Sequence, residues 1–201
     1  IIIVTGCYSQ LKPEDILKIK GVDYIFGTGE KNRIFSEIDN LKKQKETRIF
    51  ISDPRKNPDA FASFSGGQRT RSFLKIQDGC DNFCSYCTIP LARGKSRNIH
   101  SDQILKEAKE IAKNGFREII LTGVNIGDFG KSTGENFFNL LTKLSKIKSI
   151  ERFRISSIEP DLLSNEIIDF VTENPRFMPH FHIPLQSGSD EMLKKMKRKY
   201  D

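Results

Sequence analysis

The sequence is short of cysteine, and what it has is unevenly spread. There are four cysteines in 201 residues, too few to staple a secreted scaffold of this length. No run of about 18 apolar residues occurs, which excludes a membrane-spanning helix. The opening IIIVTGCYSQ has no basic leader, and its apolar stretch is too short for a signal peptide. An initiator methionine is also missing, and the chain opens inside what reads as a buried strand. The closing KKMKRKYD stops in or just after a helix. The chain therefore reads as a piece of a longer, cytoplasmic protein. No segment is of low complexity, and no repeat is visible beyond an alternation of strands and helices.

What is present is charge and that alternation. Charged residues make up 29% and apolar residues 37%, as suits a soluble globular protein. The net charge of +7 is compatible with a polyanionic partner such as RNA. The length allows one large domain, or one domain with part of another.

Residues 1–45 alternate β-α-β-α. IIIVTG is a β-branched run ending at Gly6, and KPEDILKIKG is a short helix with Pro13 near its start and Gly21 past its end. VDYIFG is a second strand, and EKNRIFSEIDNLKKQ puts Ile34, Ile38 and Leu41 on one helical face. Residues 46–69 break the pattern with Pro54, Pro58, Gly66 and Gly67 and read as a linker holding one short strand at RIFI. From residue 70 the alternation resumes, with strands at RSFLKIQ, REIILTGV, ERFRISSI and HFHIPLQ. Helices are expected over 101–114, with Ser101 as N-cap, over 136–147, over 161–172, and after Ser189. Four βα units with right-handed crossovers make a curved parallel sheet, part of a barrel. Its functional residues gather at the C-terminal edge.

The loop after the first of these strands is GCDNFCSYCTIPLARGKSR, with Cys80, Cys84 and Cys87 in Cys-x3-Cys-x2-Cys spacing. Clustered cysteines without an export signal point to metal ligation in a reducing compartment. A cubane 4Fe–4S cluster is usually held by four thiolates. Three thiolates leave one iron open to a chelator with an amine and a carboxylate, and S-adenosylmethionine offers both. An electron passed from such a cluster into the nearby sulfonium breaks a C–S bond and yields an adenosyl radical. The protein's share is placement and exclusion of water. Two other readings stay open. One is a zinc site, although the nearest fourth ligand, His100, lies thirteen residues past Cys87 with no finger-like spacing. The other is three ordinary cysteines.

This spacing, after the first strand of a βα barrel, resembles the radical-SAM superfamily. The wider string RSFLKIQDGCDNFCSYCTIPLARGKSR resembles the methylthiotransferases within it. So do EIILTGVNIGDFG, RFRISSIEPDLL and HFHIPLQSGSDEMLKKMKRKY, giving four ordered blocks across residues 70–200. VTGCYSQ adds a likeness near the start. The fold the resemblance implies is α/β: a partial radical-SAM (β/α) barrel preceded by the C-terminal half of a Rossmann-like α/β domain. Residues 1–45 would be the remainder of that N-terminal domain, 46–69 the linker and 70–201 the radical-SAM core.

The resemblance also implies two 4Fe–4S clusters in the intact protein. Cys80, Cys84 and Cys87 would hold one together with S-adenosylmethionine. Cys7 would be a ligand of the second, its other ligands lying outside this sequence, so this piece alone is expected to be inactive. Without the resemblance, a lone Cys7 reads as a buried apolar residue. The implied reaction moves a methylthio group onto a carbon whose hydrogen a radical removes. Three substrates occur in the family: threonylcarbamoyl-adenosine beside the tRNA anticodon, isopentenyl-adenosine at the same place, and an aspartate of a ribosomal protein. The cysteine block with LTGVNIGDFG is most like the first type. The implied partners are a tRNA anticodon stem-loop and an electron donor such as flavodoxin or ferredoxin, with no membrane. The rival of another class is a zinc-stabilised RNA-binding module without catalysis.

Lesser candidates follow from the same placement. Tyr86 sits where the superfamily has an aromatic near cluster and adenine, while Phe83 reads as a wall of the loop. Arg93 and Arg97 are candidates to neutralise the cluster or the cofactor carboxylate. Gly123, Val124 and Asn125 follow the second strand, where a backbone edge and a polar group meet the cofactor amine. Arg154 and Ser156 share one face of the third strand. Gln186 ends the fourth, with Ser187 beside it, and His182 reads as a satisfied core histidine. KKMKRK at 194–199 reads as a solvated helix face.

Overall fold

A computed structural model of the chain describes residues 1–56, 60, 62–67 and 70–201. It divides into two compact units, Ile1–Pro58 with Tyr86–Lys95, and Asp59–Ser85 with Ser96–Asp201.

In the first unit the opening β-branched run forms β1 (Ile3–Thr5), followed by α1 (Cys7–Leu11) and α2 (Pro13–Leu17). Pro13 opens α2, where a missing N–H breaks no helical bond. β2 (Tyr24–Phe26) is wholly buried, α3 spans Lys31–Glu37, and β3 spans Arg48–Phe50. The strands are parallel in the order β1-β2-β3, with Ile3 opposite Tyr24 and Ile25 opposite Ile49. The RIFI segment is thus the third strand of a sheet. Ile16, Val22 and Ile25 form the small core with Val4 against it, and the Phe26 and Phe50 rings stack at 4.9 Å. The helix expected through Leu41 is shorter. It passes into a 3-10 turn at Ile38–Asn40, because Asp39 and Asn40 compete for backbone hydrogen bonds, and Ile38 stays 51% exposed.

Asp23, buried at the foot of β2, accepts the N–H of Gln44 at 2.9 Å and of Ile2 at 2.7 Å, and Lys43 Nζ at 3.0 Å. These donors lower its carboxyl to about 2. The same unit contains α4 (Ile89–Arg93), from the second half of the cysteine loop, packed on α1. Gly94 ends α4 at φ +80°, and a Cβ there would collide with the Pro54 carbonyl, so only glycine fits.

The second unit holds a four-stranded sheet in the order β4-β5-β8-β9: β4 (Ser63–Phe64), β5 (Ser72–Lys75), β8 (Glu118–Thr122) and β9 (Arg152–Ile155). The last three are parallel, and β4 runs antiparallel on the edge. A separate antiparallel pair, β6 (Gln77–Asp78) with β7 (Arg97–Asn98), brackets the cysteine loop. α5 (Ser101–Lys113), α6 (Phe137–Ser145) and α7 (Asn165–Glu173) follow β7, β8 and β9, and α8 spans Asp190–Lys195. β8 is buried through Leu121, as a parallel strand covered on both faces must be. It packs with Ile104, Ala108 and Ile111 of α5 and Leu140, Leu141 and Leu144 of α6 in one core. Each fully buried aliphatic side chain there contributes about 1.5–3 kcal/mol.

Several expected elements differ. HFHIPLQ forms no strand; among the described residues only isolated parallel bridges, Phe153 to Phe177 and Ser157 to His182, extend the sheet past β9. Pro179 and Pro184 have no N–H for a ladder, and Gln186 turns to φ +65°. His182 is accordingly exposed rather than in the core, its Nδ1 hydrogen-bonded to Ser157 Oγ at 2.5 Å. The helix expected from 161 begins at Asn165. Ser164 caps it by accepting the N–H of Ile167, after a 3-10 turn at Pro160–Leu162. Ser101 is the first helical residue instead of the cap. Its N–H goes to the Glu135 carboxylate at 2.8 Å, which serves the cap's purpose from a distant loop.

Candidate functional site

The cysteine loop opens from β6, and Gln77 organises its root. This side chain is 1% exposed. Its Nε2 donates to the Gly79 carbonyl at 2.8 Å and to Ser96 Oγ at 2.9 Å, tying the two ends of the loop. Its Oε1 accepts the N–H of Val124 at 2.8 Å and of Asn125 at 2.9 Å. The turn after β8 is thereby fixed beside the loop. A Cβ on Gly123 would stand 2.8 Å from that same oxygen, which gives the glycine a packing reason of its own. Asn125 is 3% exposed. Its Nδ2 donates to Asp128 Oδ2 at 2.8 Å, while its Oδ1 is a buried atom with no hydrogen-bond partner among the described residues.

Inside the loop, Asp81 Oδ1 accepts the Ser96 N–H at 3.0 Å, and Asn82 donates its N–H to Cys80 Sγ at 3.4 Å. Lys131 pairs with Asp128 at 2.5 Å. Its ammonium is held above the ordinary lysine range by that hydrogen bond first, with the charges of Asp81 and Cys80 adding to it. Cys84 is 8% exposed, and Arg198 Nη1 donates to its sulfur at 3.2 Å. Arg198 therefore does not share the solvated face read for KKMKRK. Gln77 and Arg198 are the two residues that pattern reading missed.

Cys87 and Tyr86 lie in the first unit, where Cys87 is half-buried and Tyr86 51% exposed. Cys7 opens α1 there, and Arg93 of α4 donates from Nε to its sulfur at 3.4 Å. Arg97 is 3.9 Å from Asp78. His100 Nδ1 faces Glu135 at 3.6 Å.

The family model of the radical SAM superfamily matches residues 74–201. The chain belongs to that superfamily. It is 35% identical over 205 residues to a protein of Aquifex aeolicus called threonylcarbamoyladenosine tRNA methylthiotransferase MtaB, covering 100% of this chain and 49% of that one. A protein of the same name in Thermotoga maritima is 40% identical over 200 residues, covering 99% of this chain and 45% of its own length. A tRNA-2-methylthio-N(6)-dimethylallyladenosine synthase of Thermodesulfovibrio yellowstonii is 36% identical, covering 99% and 46%. The chain thus spans about half the length of the curated relatives it matches. Among solved structures, the radical S-adenosylmethionine methyltransferase TsrM from Kitasatospora setae aligns at a TM-score of 0.53 and 17% identity, covering 65% of this chain and 26% of that one. That is a likeness of fold.

A radical SAM domain works with S-adenosylmethionine and an iron–sulfur cluster, and the donor set here fits both. Among the described residues no three His, Cys, Asp or Glu side chains stand together as a formed metal site. Yet the sulfurs of Cys80 and Cys84 each already accept a hydrogen bond, as the sulfurs of an anionic cluster do. The buried, unpartnered Asn125 Oδ1 is an acceptor suited to an ammonium group. Arg154 is placed differently from expectation. Its Nε lies 3.4 Å from Glu118 Oε1, and Arg152 takes the other oxygen at 3.1 Å. Its charge is therefore paired toward the start of β8. Ser156 is half-buried and donates its N–H to the Leu121 carbonyl at 3.1 Å. Gln186 is exposed. No helix among the described residues is long and apolar enough to cross a membrane.

Proposed function

We propose that the protein is a radical-SAM methylthiotransferase that adds a methylthio group to C2 of N6-threonylcarbamoyladenosine next to the tRNA anticodon. What carries the proposal is the match of essentially the whole chain to relatives bearing that name. In this reading Cys80, Cys84 and Cys87 hold a 4Fe–4S cluster, and Cys7 helps hold a second whose other ligands lie outside this sequence. Residues 1–45 belong to the N-terminal domain and 70–201 to the radical-SAM core, joined by 46–69, which contributes a strand to the sheet of each unit.

The bound cluster and S-adenosylmethionine supply one-electron chemistry able to break an unactivated C–H bond, which C2 of an adenosine requires because it offers no acid–base handle. The chain's own side chains position and shield. Asn125 Oδ1 accepts the cofactor's amine, and Gly123 keeps the adjoining backbone edge open. Tyr86 covers the adenine side. Ser156 and Gln186 line the path of the cofactor, whereas Arg154, its charge taken by Glu118, serves the sheet instead. The net charge of +7 favours the anticodon stem-loop, and a flavodoxin or ferredoxin delivers the electron.

Mass spectrometry of tRNA nucleosides from a strain lacking the full-length gene tests this. The 2-methylthio-threonylcarbamoyl-adenosine is expected to disappear and its unmodified parent to accumulate. Likeness to a dimethylallyladenosine synthase supports a second reading. Under it, the 2-methylthio isopentenyl-adenosine disappears instead.

A further inference from the structure

We propose that Arg198 is a positioning residue that raises the reduction potential of the cluster held at Cys84. The proposal rests on the functional reading above. Lys194, Lys195, Lys197 and Lys199 around it are exposed, but the Arg198 side chain is 5% exposed. Lys197 adopts φ +58°, reversing the chain just past α8.

The guanidinium is gripped from several directions. Nη1 donates to Cys84 Sγ at 3.2 Å, Nε donates to the Tyr200 hydroxyl at 3.1 Å, and Nη2 forms an ion pair with Glu159. The group also lies 5.0 Å from the Tyr200 ring centroid. Tyr200 is itself anchored, its hydroxyl within reach of the carbonyls of Pro184 at 2.7 Å and Leu185 at 3.1 Å. The Ser85 N–H donates to the Met196 carbonyl at 3.2 Å, fastening the same segment to the loop beside Cys84.

A buried guanidinium needs anionic partners. Glu159 is one, and a ligand thiolate is the other. One-electron reduction of a cluster adds negative charge and makes or breaks no bond. A fixed cation donating to a ligand sulfur stabilises the reduced form more than the oxidised one. Hydrogen bonds to sulfur and burial are the levers that set such potentials. Arg198 is thus a tuning device built from the C-terminal segment of this chain, and Tyr200 and Glu159 hold it in aim.

The test is a potentiometric titration of the full-length protein, anaerobically reconstituted, with dithionite supplying the electron and electron paramagnetic resonance reading the reduced cluster. Arg198→Met is expected to lower the equilibrium constant for reduction about tenfold, a shift of about 59 mV to more negative potential. Arg198→Lys, which keeps the charge without the planar fork, should fall between the two. Tyr200→Phe should shift the potential in the same direction by less. Should Arg198→Met fail to hold iron, the lysine and phenylalanine variants carry the comparison. Potentials equal to wild type in every loaded variant overturn the proposal. A wild-type protein that takes up no iron sinks the functional reading itself, a result distinct from an unchanged potential.

Discussion

The side-chain oxygen of Gln77 accepts the Asn125 N–H at 2.9 Å, joining the root of the cysteine loop to the turn that carries Asn125. The same oxygen lies only 2.8 Å from where a Cβ on Gly123 would stand. Gln77→Ala leaves buried donors at Val124 and Asn125 unsatisfied and is expected to cost about 3 kcal/mol. Gly123→Ala should cost about 2 kcal/mol by overpacking, because Gln77 is tied at both ends and cannot step aside cheaply. With the amide gone the methyl has room, so the double variant should be less destabilised than the sum, by about 1 kcal/mol. Urea unfolding of the four proteins measures this, and strict additivity would contradict the contact.

The cysteine loop predicts its own metal. Reconstituted anaerobically with iron and sulfide, the full-length protein should turn brown, and Cys84→Ala should lose the absorbance of that cluster. The zinc-module alternative predicts a colourless protein that keeps zinc. His100, the nearest extra ligand in the sequence, instead faces the Glu135 carboxylate at 3.6 Å. Metal analysis with zinc found and iron absent would reverse the assignment.

These residues also mark what the sequence can and cannot reveal. Cys-x3-Cys-x2-Cys is legible because ligation demands a fixed residue type at a fixed spacing. β8 is legible because a strand buried on both faces must be an apolar run. Gln77 is not, because a polar residue in a strand reads as a solvent-facing position until its partners 19 and 48 residues away are known. Arg198 hides for a related reason. In KKMKRK every neighbour of like charge is exposed, and only the reversal at Lys197 turns this one side chain inward. The expected strand at HFHIPLQ has strand-like alternation, but Pro179 just before it and Pro184 within it deny it the ladder.

Acid should expose the role of Asp23. Its folded carboxyl is lowered to about 2, chiefly by the N–H groups of Gln44 and Ile2 and then by Lys43. A group whose folded pKa is depressed gives stability that is fully present above its ordinary value of 3.8 and is lost as pH falls toward 2. The unfolding midpoints of wild type and Asp23→Asn should therefore differ by a constant amount from neutral pH down to about 5. The difference should then close between about pH 4 and 2. A gap that does not vary with pH would mean the carboxylate charge is not what stabilises this corner.

The first unit makes a separate claim about Cys7. Its sulfur accepts Arg93 Nε at 3.4 Å, and Arg93 belongs to the helix that begins two residues after Cys87. A cysteine kept only for packing has no need of a guanidinium on its sulfur, whereas a ligand thiolate gains from one, as charge-assisted donors stabilise anionic sulfur. In the full-length reconstituted protein, Cys7→Ala should therefore remove about half of the iron. The cluster of the Cys80, Cys84 and Cys87 loop should keep its spectrum and its response to S-adenosylmethionine. Arg93→Ala should weaken the same cluster without abolishing it, seen as faster iron loss to a chelator. Cys7→Ser, close in volume to cysteine, separates ligation from packing: lost iron with an unchanged unfolding midpoint identifies a ligand. Full iron content in that variant would return Cys7 to the role of a half-buried filler of α1.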